Sequence, residues 1–269
     1  METRQGNCNI ENLHADDLLD ALRTLKGKDG TGVHVPAPGD GVEKLLGWSM
    51  NDIHTAAMCG DKEEQERHAT NAVVNARRAL ACLVDWYLAR DGFAYCKNAP
   101  KSADDKAAIL VRRNIIEPLT SRVLARAIAV RNVAEHEYQA VSCEDAEDVV
   151  ELLRRTIQCL RAQSEPEWGP FVFGGMSWGS SGSEKGLFGH FYGWREPVGV
   201  VNTIAKEPWV GVIIPSSQSD ATVRKVPLRE IDRELLLESI AVLESTFGRV
   251  GFHSGASSCK LMAAAAGFE

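Results

Sequence analysis

The stretch DKEEQERHATNAVVNARRALACLVDWYLARD, residues 61–91, decides the fold of the first half of the chain. It contains neither Gly nor Pro, the two residues that fit a helix interior worst. Its apolar residues recur at three- and four-residue spacing, which is typical of a helix with one face on a core. This apolar stripe consists of Ala79, Leu80, Leu83, Val84, Tyr87 and Leu88. We therefore predict one long helix, which ends at Gly92.

Further helices are predicted on the C-terminal side of this stretch. Asp104-Asp105 opens one of them, Pro118 interrupts the run, and residues 119–139 form another. Ser142-Cys-Glu-Asp is a plausible helix start because acidic residues in a first turn complement the helix dipole. The apolar residues of that last helix are Val149, Val150, Leu152, Leu153, Ile157 and Leu160. Pro166 closes a region that is predicted to be helical throughout.

The character of the sequence changes after residue 165. Half of the chain's aromatic residues lie between positions 165 and 210, interleaved with glycines. Short apolar segments bounded by turn residues predict strands. These segments are residues 170–173, 198–201, 209–214 and 221–226. Residues 229–247 predict an amphipathic helix with Gly248 as its C-cap.

The fold class is therefore α+β, with an N-terminal all-α bundle followed by a smaller α+β domain. Residues 1–45 are expected to supply a short amphipathic helix and a linker rich in Gly and Pro. Residues 46–165 form the bundle and residues 166–269 the α+β domain, whose tail, 260–269, has no evident partner. The sequence leaves open which of the two domains residues 1–40 join.

Composition excludes several classes of protein. The net charge of −7 argues against a general binder of polyanions, although residues 100–138 hold seven basic and five acidic residues, enough for a small phosphate site. The seven cysteines contain no C-x-x-C pair, which favours reduced thiols in the cytoplasm over disulfides or a zinc site. We expect no metal, no cofactor, no membrane span and no signal peptide.

Four functional side chains lie close together in RNVAEHEY, residues 131–138. On a helical wheel, Tyr138 lies at about −20° from Arg131, and Asn132 and His136 share the adjacent face at about +100° and +140°. A His can take or give a proton during phosphodiester cleavage, and a guanidinium can hold the phosphate oxygens at two points. Asn132 could orient the imidazole or donate to the phosphate. This cluster therefore suits cleavage of RNA without a metal ion.

The same residues resemble the signature segment of HEPN domains, helical bundles with an R-x(4–6)-H motif. Toxin-type members read R-x4-H-x-Y, as Arg131, His136 and Tyr138 do here, and a polar residue, Asn132, directly follows the Arg. The resemblance covers residues 50 to 163. It implies metal-independent ribonuclease activity, a homodimer that shares its active site, and a role in toxin–antitoxin systems or antiphage defence. It further implies that an antitoxin partner could modify Tyr138 with AMP.

Two alternatives stay open at this level. Arg131 could pair with Glu135 four residues on, which would leave a non-catalytic helical module for dimerisation or nucleotide binding. Gly175-Met-Ser177-Trp-Gly179 fits G-x-S-x-G, with His190 and His253 downstream. However, the residues after Gly179 are poor helix formers, whereas the nucleophile turn of a serine hydrolase leads into a helix. The ribonuclease remains the favoured hypothesis.

Overall fold

The computed structural model describes residues 8–25, 41–116, 118, 121–122, 141–162, 171–173, 197–203, 205–215 and 221–247. Its helices are α1 (Leu18–Arg23), α2 (Gly41–Met58), α3 (Lys62–Arg90), α4 (Ala103–Arg112), α5 (Cys143–Ala162) and α6 (Arg233–Phe247). Its strands are β1 (Cys8–Asn12), β2 (Phe171–Phe173), β3 (Val198–Asn202), β4 (Trp209–Pro215) and β5 (Ala221–Pro227). The protein therefore mixes helix and strand, as an α+β fold requires.

These residues form two compact units, each with its own core. The sheet unit comprises the described residues within Met1–Ala37, Leu88–Pro100 and Pro166–Phe252. The helical unit comprises those within Pro38–Tyr87, Lys101–Glu165 and His253–Glu269. Residues 8–25, whose partner the sequence left open, thus belong with the sheet. Residues 88–100, which the sequence placed in the helical bundle, also belong with the sheet.

The long helix α3 confirms the prediction for residues 61–91. All six residues of its apolar stripe are buried, with Tyr87 fully enclosed. Gly92 follows the helix with φ +88°, a left-handed conformation that favours glycine. The periodicity of this stretch therefore gave both the length of the helix and the face that it buries.

Helix α5 supplies a second buried stripe in the helical unit. Ala146, Val150, Leu153, Ile157 and Leu160 repeat at alternating intervals of four and three and are all buried. The Tyr87 hydroxyl donates a hydrogen bond of 2.6 Å to the carbonyl oxygen of Leu160, which ties α3 to α5. Arg161 of α5 forms an ion pair with Glu43 of α2. Burial and polar contacts thus hold α5 against α2 and α3.

Serine side chains cap the starts of α4 and α5 in the same way. Ser142 Oγ accepts from the backbone N–H of Asp145 at 3.1 Å and donates to Asp145 Oδ2 at 2.6 Å. Ser102 makes the equivalent pair of bonds with Asp105, at 3.0 Å and 2.8 Å. Each cap satisfies one of the N–H groups that a helix leaves unpaired at its start. The helix starts predicted at both places are therefore confirmed.

Replacing Ser142 with Ala is expected to lower the free energy of unfolding by about 1 kcal/mol, because the first turn of α5 loses its acceptor. Ser142→Asp is the matched control, since a carboxylate can still accept from the same N–H group and should retain most of the stability. Urea denaturation of both variants measures the effect. Equal losses in the two variants would show that the cap does not stabilise the protein.

Within the described ranges, the sheet has five strands in the order β1-β5-β4-β3-β2. Strands β2 to β5 form an antiparallel meander, and all four correspond to predicted strand segments. β1 was not predicted; it pairs in parallel with β5, with Ile10 opposite Val223. α1 packs against β4 and α6. The parallel edge strand is thus the feature that joins the N-terminal region to the C-terminal sheet.

The segment after α3 packs within the sheet unit. Phe93 is fully buried, and the Lys97 N–H donates a hydrogen bond of 2.7 Å to the carbonyl oxygen of Ile231. A 3-10 turn, Leu228–Glu230, and an Asp232 N-cap precede α6. The helix predicted over residues 229–247 therefore starts four residues later than expected.

Candidate functional site

The residues predicted to carry the chemistry lie outside the described residues. Arg131, Asn132, His136 and Tyr138 all fall within positions 123–140. The alternative hydrolase residues Ser177, His190 and His253 and the predicted C-cap Gly248 also lie outside the described ranges. The arrangement of the R-x4-H-x-Y motif and the helix predicted over residues 119–139 therefore stay predictions.

The described residues on both sides of the motif belong to the core of the helical unit. Ile115 and Ile116 are buried before it, and Val141 is buried after it. Ser142, the cap of α5, comes four residues after Tyr138, the last residue of the motif. In sequence, the candidate site therefore lies between two buried anchors and leads into a capped amphipathic helix.

A polar cluster between α2 and α3 was not predicted. His68 Nδ1 lies 2.9 Å from Asp52 Oδ1, and Asn75 Nδ2 donates to Asp52 Oδ2 at 3.3 Å. Both His68 and Asp52 are about one-fifth exposed, at 22% and 20% of their side-chain surface. Because a carboxylate only accepts, Nδ1 is the ring nitrogen that donates to Asp52.

The position of this cluster indicates that it links α2 to α3. Ser49 Oγ donates to the carbonyl oxygen of Ala72 at 2.8 Å, and Gln65 Nε2 donates to that of Ala56 at 3.2 Å. The Asp52–His68 contact lies between these two bonds, so all three follow one antiparallel register. We interpret it as one member of a row of polar contacts in the α2–α3 hairpin. The acceptors of two of these bonds are alanine carbonyls, so the polar residues of the row form no pattern in the sequence.

Two cysteine side chains in the described part of the chain, Cys96 and Cys143, are poorly suited to nucleophilic chemistry. Cys59, Cys82, Cys96 and Cys143 are free thiols. Burial raises the pKa of Cys96, and burial together with Glu147 and Glu66 raises the pKa of Cys143. A raised pKa keeps a thiol protonated at neutral pH, whereas a catalytic cysteine needs the thiolate.

Helix α5 carries an exposed ion cluster. Glu151 accepts from Arg154 Nε and Arg154 Nη2 at 2.6 Å and 2.8 Å, and from Arg155 Nε at 2.6 Å. Hydrogen bonding to Arg154, with a second bond from Arg155, lowers the pKa of Glu151 to about 2. The cluster is on the solvent side of the helix, since the Glu151 side chain is 39% exposed. Solvent therefore weakens the free energy that the cluster supplies.

The Glu151 cluster gives a pH-dependent prediction. Because the pKa falls on folding to about 2, the stabilisation is present above the ordinary value of 4.5 and is lost as pH falls towards 2. Glu151→Gln is expected to lower the free energy of unfolding by about 0.5 kcal/mol at neutral pH and by less in mild acid. Denaturant titrations of both proteins at neutral pH and in mild acid measure this difference. A difference that stays constant with pH would contradict the assignment.

The described residues contain no group of three or more His, Cys, Asp or Glu side chains that could hold a metal ion. No helix in the same part of the chain is long and apolar enough to cross a membrane.

Comparison with known proteins gives no match: the chain matches no protein-family model, no curated protein and no solved structure. The function of the protein must therefore be inferred from the chain's own residues.

Proposed function

We propose that the protein is a metal-independent endoribonuclease of HEPN type. The observation that carries this proposal is the R-x4-H-x-Y motif of Arg131, His136 and Tyr138, with Asn132 directly after the Arg. Two described features support it. In sequence, the motif lies between α4 and α5 of the helical unit, and Ser142, the cap of α5, comes four residues after Tyr138.

The proposed reaction is an attack of the ribose 2′-oxygen on the adjacent phosphorus. A bond forms between the 2′-oxygen and phosphorus, and the bond from phosphorus to the 5′-oxygen breaks, which leaves a 2′,3′-cyclic phosphate. His136 takes the 2′-hydroxyl proton or gives a proton to the leaving 5′-oxygen. Arg131 holds the phosphate oxygens as their negative charge increases, and Asn132 assists. Tyr138 positions the substrate or is the residue that a partner modifies.

The proposed active form is a homodimer. One reaction needs both a base and an acid, and each chain offers one motif histidine. On one helix, Arg131 and His136 point about 140° apart and converge poorly, whereas two copies that face each other can form a shared pocket. We propose RNA as substrate, the cytoplasm as compartment, and toxin–antitoxin or antiphage defence as the setting, with an antitoxin or defence protein as a further partner.

The test is cleavage of a mixed RNA pool in EDTA by the wild type and by His136→Ala, with the product ends identified. Cleavage by the wild type alone, with 2′,3′-cyclic phosphate ends, is the expected result. Equal cleavage by both proteins would overturn the assignment of His136. Absence of cleavage by both would favour a non-catalytic helical module for dimerisation or nucleotide binding.

A further inference from the structure

The edge strand β1 is open on one side in the described part of the sheet. β5 pairs with one edge of β1, and no strand of the described sheet lies beyond the other. Asn9, Ile10, Glu11 and Asn12 are exposed, and the Ile10 side chain has 46% of its surface in solvent. An exposed edge that carries a large apolar residue is a template for pairing with another strand.

The hydrogen bonds of the neighbouring residue show which backbone groups face the open edge. The Leu13 N–H donates to the carbonyl oxygen of Lys225 at 2.8 Å, so the backbone groups of Leu13 point towards β5. Backbone groups alternate along a strand. Glu11 and Asn9 therefore also point towards β5, and the N–H and C=O groups of Cys8, Ile10 and Asn12 point outward.

This edge is complementary to itself. If two copies of β1 run antiparallel with Ile10 opposite Ile10, the outward groups of the two Ile10 residues exchange both hydrogen bonds. In the same register Cys8 lies opposite Asn12, and these residues also pair through outward groups. Asn9, whose amide donates to Glu11 of its own strand at 3.2 Å, then faces Glu11 of the partner subunit on one face of the ribbon and can donate to that carboxylate instead. No like charges meet in this register.

We propose that β1 is a homodimerisation edge, at which a second copy of this chain adds its own β1 antiparallel and continues the sheet across a two-fold axis. The two exposed Ile10 side chains then cover each other. The occupant is a second copy because every outward backbone group, the exposed Ile10 side chain and the Asn9 and Glu11 side chains find a partner in an identical strand. This inference does not depend on the proposed ribonuclease activity.

The test is the oligomeric state of the full chain, measured by sedimentation equilibrium over a range of concentrations. Ile10→Pro removes the outward N–H, which an edge strand tolerates, and is expected to weaken dimerisation roughly thirtyfold. Ile10→Val keeps the N–H and the branched side chain and is the matched control, which should dimerise like the wild type. A wild type that stays monomeric up to its solubility limit would overturn the proposal.

A second pair of variants keeps the test decisive if Ile10→Pro fails to fold. Asn9→Glu changes an exposed side chain and places two carboxylates opposite each other in the dimer, so dimerisation should weaken roughly tenfold, whereas Asn9→Gln should not change it. A dimer that resists both Ile10→Pro and Asn9→Glu is held by another surface, such as the shared ribonuclease site, and would overturn the edge assignment. RNA cleavage by the same variants reports separately on the proposed function.

Discussion

His136→Ala is expected to lower the single-turnover rate constant for RNA cleavage about a thousandfold, since general acid–base catalysis by one side chain contributes about 10²–10⁴. Alanine removes the proton acceptor and donor without adding bulk or charge. Binding of RNA should change much less, because Arg131 keeps the phosphate contact. The measurement is cleavage of an end-labelled RNA in EDTA, with enzyme in excess and binding followed in parallel by fluorescence anisotropy.

His68→Ala is the control for this prediction. His68 is the histidine that the structure places in the helical unit beside Asp52, as part of the row of contacts between α2 and α3. Its removal should lower stability but leave the rate constant of the folded protein close to that of the wild type. A comparable loss of cleavage in both variants, with intact circular dichroism spectra, would contradict the assignment of His136 as the specific acid or base.

Helices with a regular buried stripe could be predicted from the sequence. In α3 and α5 the apolar residues recur every three or four positions, because one face of each helix is buried, and local sequence records that pattern. The starts of α4 and α5 could also be predicted, since Ser102 and Ser142 cap these helices through bonds to residues only three positions away. The apolar periodicity and the helix caps are both local signals, and the predictions made from them were confirmed.

Features that depend on distant residues could not be predicted. β1 reads CNIEN, in which Ile10 is the only strongly apolar residue, so an exposed edge strand gives no alternating pattern. Its partner β5 lies near the other end of the chain. Lys97 joins the sheet unit through a hydrogen bond to Ile231, far along the chain, and α3 continues across that boundary without a break in its pattern.

The candidate site likewise has features that local sequence predicts and features that depend on distant residues. Arg131, Asn132, His136 and Tyr138 form a short motif, and their spacing alone indicates the chemistry. The Asp52–His68 contact joins two helices and has no typical spacing, so it emerged only from the register of the α2–α3 hairpin. Whether His136 shares its pocket with a second chain is likewise a matter of assembly, which local sequence does not encode.

Gly211→Ala is expected to cause the largest loss of stability among the predicted variants. Gly211 lies in the middle of β4, between Val200 of β3 and Lys225 of β5. A Cβ atom there would overlap the carbonyl oxygen of Arg224 and lie 2.7 Å from the Lys225 Cα. These are backbone atoms of a paired strand, so no side-chain rotation relieves the overlap. The two strands must separate locally, and we expect the free energy of unfolding to fall by about 3 kcal/mol.

Gly47→Ala in α2 provides the matched control, because it adds the same methyl group where nothing lies within 4 Å. Gly47 is exposed inside a helix, where alanine is favoured over glycine, so this variant should gain about 0.5–1 kcal/mol. Urea titrations followed by circular dichroism compare the two variants with the wild type. Opposite changes in the denaturation midpoint would show that the β4–β5 contact admits no side chain at position 211. Similar midpoints for all three proteins would mean that β4 and β5 can separate at Gly211 without cost, and the close pairing described for these strands would then be wrong.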